Sequence, residues 1–194
     1  MTSAQAALDN TPRQQLLDLI KNLAVVRGKV TLASGKEADY YVDLRRVTLH
    51  HAAAPLIGHI LLDTLEERGW GPDDIDAVGG LTLGADPIAT ALLHAAASRG
   101  LSLDAFVVRK ATKAHGMQRL IEGPDIAGRQ VVVVEDTTTT GGSPITAIEA
   151  ARAAGATVVA VATIVDRATG AAEKIEALGV PYFSLFSLED LDLA

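Results

Sequence analysis

Residues 131–143 read Val131-Val132-Val133-Val134-Glu135-Asp136-Thr137-Thr138-Thr139-Thr140-Gly141-Gly142-Ser143, and Pro144-Ile-Thr-Ala-Ile-Glu-Ala-Ala-Arg152 follows directly. Four β-branched residues in a row predict a strand buried on both faces, which is the signature of a parallel sheet. Glu135 and Asp136 are then expected where the strand meets solvent. Ser143 suits a helix N-cap and Pro144 the first helical position. Between strand and helix lie four hydroxyls and two glycines. Gly141 and Gly142 let the backbone turn so that N–H groups converge, and the helix start adds a positive dipole end. The segment reads as an anion cup beside a pair of acceptors suited to a diol, which together fit a ribose 5-phosphate. Neither common phosphate loop is present: no lysine occurs between Arg129 and Arg152, and the glycines do not follow G-x-G-x-x-G.

Working outward, apolar runs of strand length alternate with helical patterns. Thr11-Pro12 opens a helix striped by Leu16, Leu17, Leu19, Ile20 and Leu23, which Gly28 is expected to stop. Residues 29–48 read as two strands around Ser34-Gly35, and a helix follows over about 52–68. A short strand from Asp76 leads into the loop 81–86, and Asp86-Pro87 reads as N-cap and first turn of a helix to about Arg99. Further strands are expected over 105–109, 131–134, 157–165 and 181–186, with helices from Pro144 and over about 171–178. Alternation of this kind predicts an α/β fold, a central parallel sheet flanked by helices. Loops 81–86, 109–119, 135–143 and 166–169 would all follow C-terminal strand ends, where open parallel sheets bind ligands.

The 194 residues carry a formal charge of −7, are 48% hydrophobic and 4% aromatic, and include no cysteine. That length suits one domain, 1–194. The acidic balance speaks against nucleic-acid partners, which require a basic face. No apolar run approaches twenty residues, so no membrane partner is expected. The N-terminus lacks a basic segment followed by an apolar one, and zero cysteines exclude disulfides and thiolate metal sites, so a cytoplasmic location is expected. Positive charge is nevertheless concentrated: Arg109, Lys110, Lys113, His115 and Arg119 fall within eleven positions that hold no acid. A locally basic loop in an acidic chain points to a small anionic ligand.

The stretch 131–143 resembles the fingerprint of the type I phosphoribosyltransferases, which bind phosphoribosyl pyrophosphate (PRPP). Three further motifs narrow the resemblance to the orotate phosphoribosyltransferase family. Arg109-Lys-Ala-Thr-Lys-Ala-His-Gly116 is similar to its mobile catalytic loop. Leu32-Ala-Ser-Gly35 with Asp39-Tyr-Tyr-Val-Asp43 is similar to its N-terminal hood, and Asp166-Arg167 to its orotate-contacting pair. The resemblance implies a type I fold with a small hood from about 11–48 and the C-terminal segment. It implies transfer of ribose 5-phosphate from PRPP to N1 of orotate, giving orotidine 5′-monophosphate and pyrophosphate, with Mg²⁺, in pyrimidine biosynthesis.

It also implies roles. Glu135 and Asp136 would bind the ribose hydroxyls, and Thr137, Thr138, Thr139, Thr140, Gly141, Gly142 and Ser143 the 5′-phosphate. Arg109, Lys110, Lys113 and His115 would bind the pyrophosphate, Lys110 and Lys113 as the catalytic pair. Thr139, Arg167, Tyr41 and Val42 would line the orotate site. Mg²⁺ would be held mainly through PRPP and water, with no dedicated protein cage, and loop 109–119 would be shared across a homodimer. Two lysines of many relatives are absent, replaced by Ala33 and by Gly84 in Leu83-Gly84; Lys36 or Arg45 could compensate, though each equally suits a solvated hairpin. Two other readings stay open on the motifs: a transferase acting on a purine or xanthine, and a PRPP-sensing nucleic-acid regulator.

Overall fold

The computed structural model describes residues 11–31, 37–110 and 120–193. Its centre is a six-stranded sheet in the order β5-β4-β3-β6-β7-β8. The strands are β3 (Ala77–Leu81), β4 (Asp104–Val108), β5 (Ile121–Glu122), β6 (Gln130–Thr138), β7 (Thr157–Asp166) and β8 (Tyr182–Ser187). All pairs are parallel except the antiparallel edge pair of β4 with β5. The helices are α1 (Pro12–Leu19), α2 (Arg45–Thr48), α3 (Ala53–Glu67), α4 (Ala85–Ser98), α5 (Gly142–Ala153) and α6 (Ala171–Glu176). Apart from this sheet, β1 (Val25–Thr31) and β2 (Glu37–Val42) pair antiparallel.

The valine run behaves as a doubly covered strand must. Val131 to Val134 are each 0% exposed. Val132 and Val134 face a core with Leu16, Leu61, Leu65, Ile88 and Leu92 from α1, α3 and α4. Val131 and Val133 face the other core, with Phe106 and with Ala147, Ile148 and Ile175 from α5 and α6. The period of two thus sends alternate valines to opposite helix layers. The chain proceeds from β3 outward to β4 and then returns to β3's other side at β6. That reversal opens a crevice beyond the C-terminal ends of β3 and β6, where ligands bind in open parallel sheets.

The structure corrects several boundaries. β6 continues to Thr138, because Thr137 and Thr138 pair with Val165 and Asp166 of β7. Glu135 is therefore a ladder residue only 5% exposed, not a carboxylate at the solvent boundary. Gly28 does not stop a helix; α1 gives way to a π turn at Ile20–Ala24, and Gly28 (φ 125°) lies inside β1 where its register with β2 shifts. Such a bulge needs the φ freedom of glycine. The expected second strand ends at Val42, because the Asp43 side chain accepts the Arg45 N–H at 3.2 Å and turns the chain into α2. α5 begins at Gly142 behind a left-handed Gly141 (φ 81°), so Ser143 lies in the first turn and is not the cap. α4 begins at Ala85, which moves Asp86 into its first turn.

Candidate active site

The crevice holds a cavity of about 310 Å³. Its floor is the end of β6 with Glu135 and Asp136, and its walls come from residues 81–84 after β3, Lys110 after β4 and Arg167 after β7. Tyr41, Val42, Asp43 and Arg45, from the end of β2 and the turn into α2, close the remaining side. Five chain segments far apart in sequence thus converge on one opening.

The acid pair is held rigidly and is costly to charge. Asp136 N–H donates to Glu135 Oε1 at 3.1 Å, and Thr137 N–H to Asp136 Oδ1 at 2.6 Å. Burial pushes the Glu135 carboxyl up to about 8, with the neighbouring Asp136 charge adding to the rise. Asp136 is raised by burial too, and hydrogen bonds from Glu135 and Thr137 together with the Arg45 charge hold that rise back. Two carboxyls in one site cannot easily both ionise, so the pair favours hydroxyl donors and cations. A residue larger than glycine at 84 would bring its Cβ onto Glu135 Oε1 and Asp136 Oδ1. Gly84 therefore permits the loop after β3 to lie directly against the acids.

The cup residues divide. Thr137, Thr139 and Ser143 line the cavity. Thr138 is 1% exposed; its hydroxyl meets Tyr182 Oη at 2.6 Å and donates to Asp166 Oδ1 at 3.2 Å. This hydroxyl is taken up by β7 and β8 side chains, a consequence of β6 running four residues further than the valines alone indicated. Thr140 is exposed, and its carbonyl accepts Lys174 Nζ at 3.3 Å. Thr138 still contributes, since its carbonyl accepts the Arg167 N–H at 3.0 Å. Asp166 accepts the Ala168 N–H at 3.0 Å, and the Arg167 guanidinium lies 5.9 Å from the Tyr40 ring centroid. Asp166 and Thr138 thus fix the chain on both sides of Arg167.

On the basic side, Lys110 lines the cavity but Arg109 does not join it. Arg109 is paired with Glu122 of β5 at 3.3 Å, and its N–H donates to the Leu120 carbonyl at 2.8 Å. The two-residue strand β5, too short to leave a sequence pattern, is what draws Arg109 away. Lys113, His115 and Arg119, like Ala33 and Lys36, lie outside the described residues. Sequence reasoning gave Asp43 no role and Arg45 only a weak one. Arg45 Nε and Nη2 donate to Asp43 Oδ1 and Oδ2 at 2.8 and 3.1 Å, and that pairing holds the Asp43 carboxyl below the usual range. Thr82 Oγ1 donates to Asp86 Oδ2 at 2.7 Å, bracing the loop after β3 against the first turn of α4.

Among the described residues no group of three or more His, Asp or Glu is arranged to hold a metal ion. The site instead offers two adjacent carboxyl groups, hard oxygen donors that a bound cation would help to ionise, facing a cavity. That donor set fits a hydrated Mg²⁺ whose remaining ligands come from a bound phosphate ester.

Residues 45–181 match the Phosphoribosyl transferase domain family. The chain is 67% identical over 182 residues to the orotate phosphoribosyltransferase of Streptomyces avermitilis, covering 93% of this chain and 97% of that one. The orotate phosphoribosyltransferase of Corynebacterium glutamicum is 61% identical over 181 residues, with 93% and 94% covered. A crystal structure of the Mycobacterium tuberculosis orotate phosphoribosyltransferase in complex with PRPP superposes with a TM-score of 0.81 at 52% identity, covering 94% of this chain and 100% of that one. With this cleft, this sheet order and these relatives, the chain belongs to the phosphoribosyltransferase family and, within it, groups with the orotate phosphoribosyltransferases.

Proposed function

We propose that this protein transfers ribose 5-phosphate from PRPP to N1 of orotate, releasing pyrophosphate. The carrying observation is the placement of Arg167 and the acid pair in one cavity: a planar cation fork for a carboxylated base, across from acceptors for ribose hydroxyls. Tyr41, Val42 and Thr139 line the same opening as Arg167 and would flank the pyrimidine. The glycine-cradled turn after β6, with the N-terminus of α5, would take the 5′-phosphate.

In this reading the C–O bond to pyrophosphate breaks as the orotate nitrogen approaches the anomeric carbon, leaving cationic character on the sugar. The departing group gathers negative charge, and Lys110 stands at the cavity to meet it. Lys113 and His115 would join it from the loop. Arg109, which pairs with Glu122 in this chain, would contribute to the pyrophosphate from the same shared loop. Mg²⁺, bound to PRPP oxygens and water beside Asp136 and Glu135, would neutralise part of the diphosphate charge. Loop closure would exclude water that otherwise hydrolyses PRPP.

The same reading takes 1–194 as one phosphoribosyltransferase domain acting as a homodimer in the cytoplasm. A groove of about 590 Å³ between α3 and α4 supports the dimer: Leu83 belongs to both this groove and the cleft, and Leu49 beside it is 66% exposed. Absence of cysteine suits a reducing compartment, and no helix among the described residues is long and apolar enough to cross a membrane.

Loss of orotate absorbance with Mg²⁺ and PRPP, with uracil and purine bases as controls, tests the reaction. Turnover of a purine but not orotate would overturn the role of Arg167. Mixing Lys113→Ala subunits with Asp136→Ala subunits tests the shared loop: partial recovery of activity is expected, and no recovery would place each site within one chain.

A further inference from the structure

The cavity walls carry three carboxyl side chains, Asp43, Glu135 and Asp136, against three cations, Arg45, Lys110 and Arg167. A ligand with a phosphate and a diphosphate brings several negative charges into that balance, so each cation matters. Their positions divide the work. Arg167 stands on the base side, over Tyr40. The backbone turn at 139–143 serves the terminal phosphate. Lys110 and Arg45 remain for the diphosphate, and the Arg45 charge acts on Asp136, the same carboxyl that Gly84 allows residues 81–84 to lie against.

Arg45 is also prepared in a way that a solvated surface arginine is not. Asp43 is anchored by its own backbone, donating its N–H to Ala24 O at 3.0 Å, and its side chain caps the turn into α2 through the Arg45 N–H at 3.2 Å. From that anchored position it takes Nε–H and one Nη2–H of Arg45. The other three N–H groups of the guanidinium have no partner among the described residues. The Arg45 side chain stays 46% exposed while Asp43 is 22% exposed. An ion pair this open contributes little to stability. Its effect is to aim a half-satisfied planar fork, whose geometry matches phosphate oxygens.

We propose that Arg45 is a pyrophosphate-binding residue of this site, oriented by Asp43 and acting beside residues 81–84. The inference rests on the reading of the cleft as a PRPP site. Arg45 thereby supplies, from the end of β2, cationic charge that the glycine at 84 cannot.

The test is steady-state kinetics of R45A and R45Q with PRPP and orotate varied separately, together with inhibition by added pyrophosphate. Loss of charge-assisted hydrogen bonds should raise both the PRPP KM and the pyrophosphate inhibition constant by about tenfold or more, with orotate KM within about twofold. R45K should recover part of the loss, since it restores charge without the fork. Unchanged PRPP KM and pyrophosphate inhibition in R45A or R45Q would overturn the assignment. So would an equal rise in the KM of both substrates, which a general structural defect produces. Absence of any PRPP turnover or pyrophosphate binding by the unaltered protein would instead overturn the reading of the cleft, and this inference with it.

Discussion

The two sides of the cleft are built by opposite means. The acid side is part of the sheet: Glu135 and Asp136 belong to β6, Glu135 pairs with Thr163 and is 5% exposed, and neighbouring N–H groups hold both carboxyls. The basic side is assembled from long side chains at segment ends, with Arg45 in the turn after β2 and Lys110 just beyond β4. The difference suits what each side would do in the proposed reaction. There, hydroxyls of a sugar would meet rigid acceptors, whereas charge that migrates onto a leaving group would be met by cations already aimed at it. Burial raises both acids, and exposure leaves Arg45 and Lys110 in reach of a ligand.

The largest test of this contrast lies on the mobile-charge side. Lys113→Ala should lower kcat by about two to three orders of magnitude, as loss of one transition-state partner does, while orotate affinity changes little. Equal losses in kcat and orotate binding would break the assignment.

Next is Gly84→Ala, which probes how closely the loop after β3 lies against the acids. The backbone there (φ −62°, ψ −42°) suits alanine, so the only cost is the contact of the new methyl with Glu135 and Asp136. A fall in kcat/KM for PRPP on the order of 10–100-fold, with a lowered Tm from the overlap, is expected. Wild-type kinetics in this variant would mean that the loop stands off the acids in solution.

The smallest effect is on stability, and it isolates the rigid side. Glu135 binds its proton more tightly folded than unfolded, because its pKa rises from 4.5 to about 8. The unfolded chain then holds fewer protons between those values, so folding stability from this group falls as pH rises from about 5 to 8 and levels above. Glu135→Gln removes that titration. Ligand-free E135Q should match the unaltered protein near pH 5 and exceed it in Tm near pH 8. Parallel Tm curves for the two proteins would show the acid side to be better solvated than its burial implies.

Much of this is legible in the sequence alone. The valine run and the strand–helix alternation predict the doubly covered parallel sheet, because period and β-branching act locally. Gly-Gly before a helix predicts the turn after β6. What escaped reading was short or depended on a neighbour. The strand β5 has two residues, and only its pairing with β4 takes Arg109 out of the cleft through Glu122. The extension of β6 to Thr138 required the β7 ladder, and it buries Thr138 against Tyr182 and Asp166.

The sequence by itself determined the alternation of helices with doubly covered parallel strands, the order of the loops along the chain, and the chemical character of the acids, hydroxyls and cations beside them. Each of these follows from side-chain type and spacing along one segment. Only the tertiary structure decided which groups share the cavity: Glu135 turned from a solvent-edge acid into a buried one, Arg109 left for Glu122, and Arg45 entered on the arm of Asp43. Those outcomes depend on burial and on partners contributed by distant segments, and such terms exist only once the strands have found their neighbours.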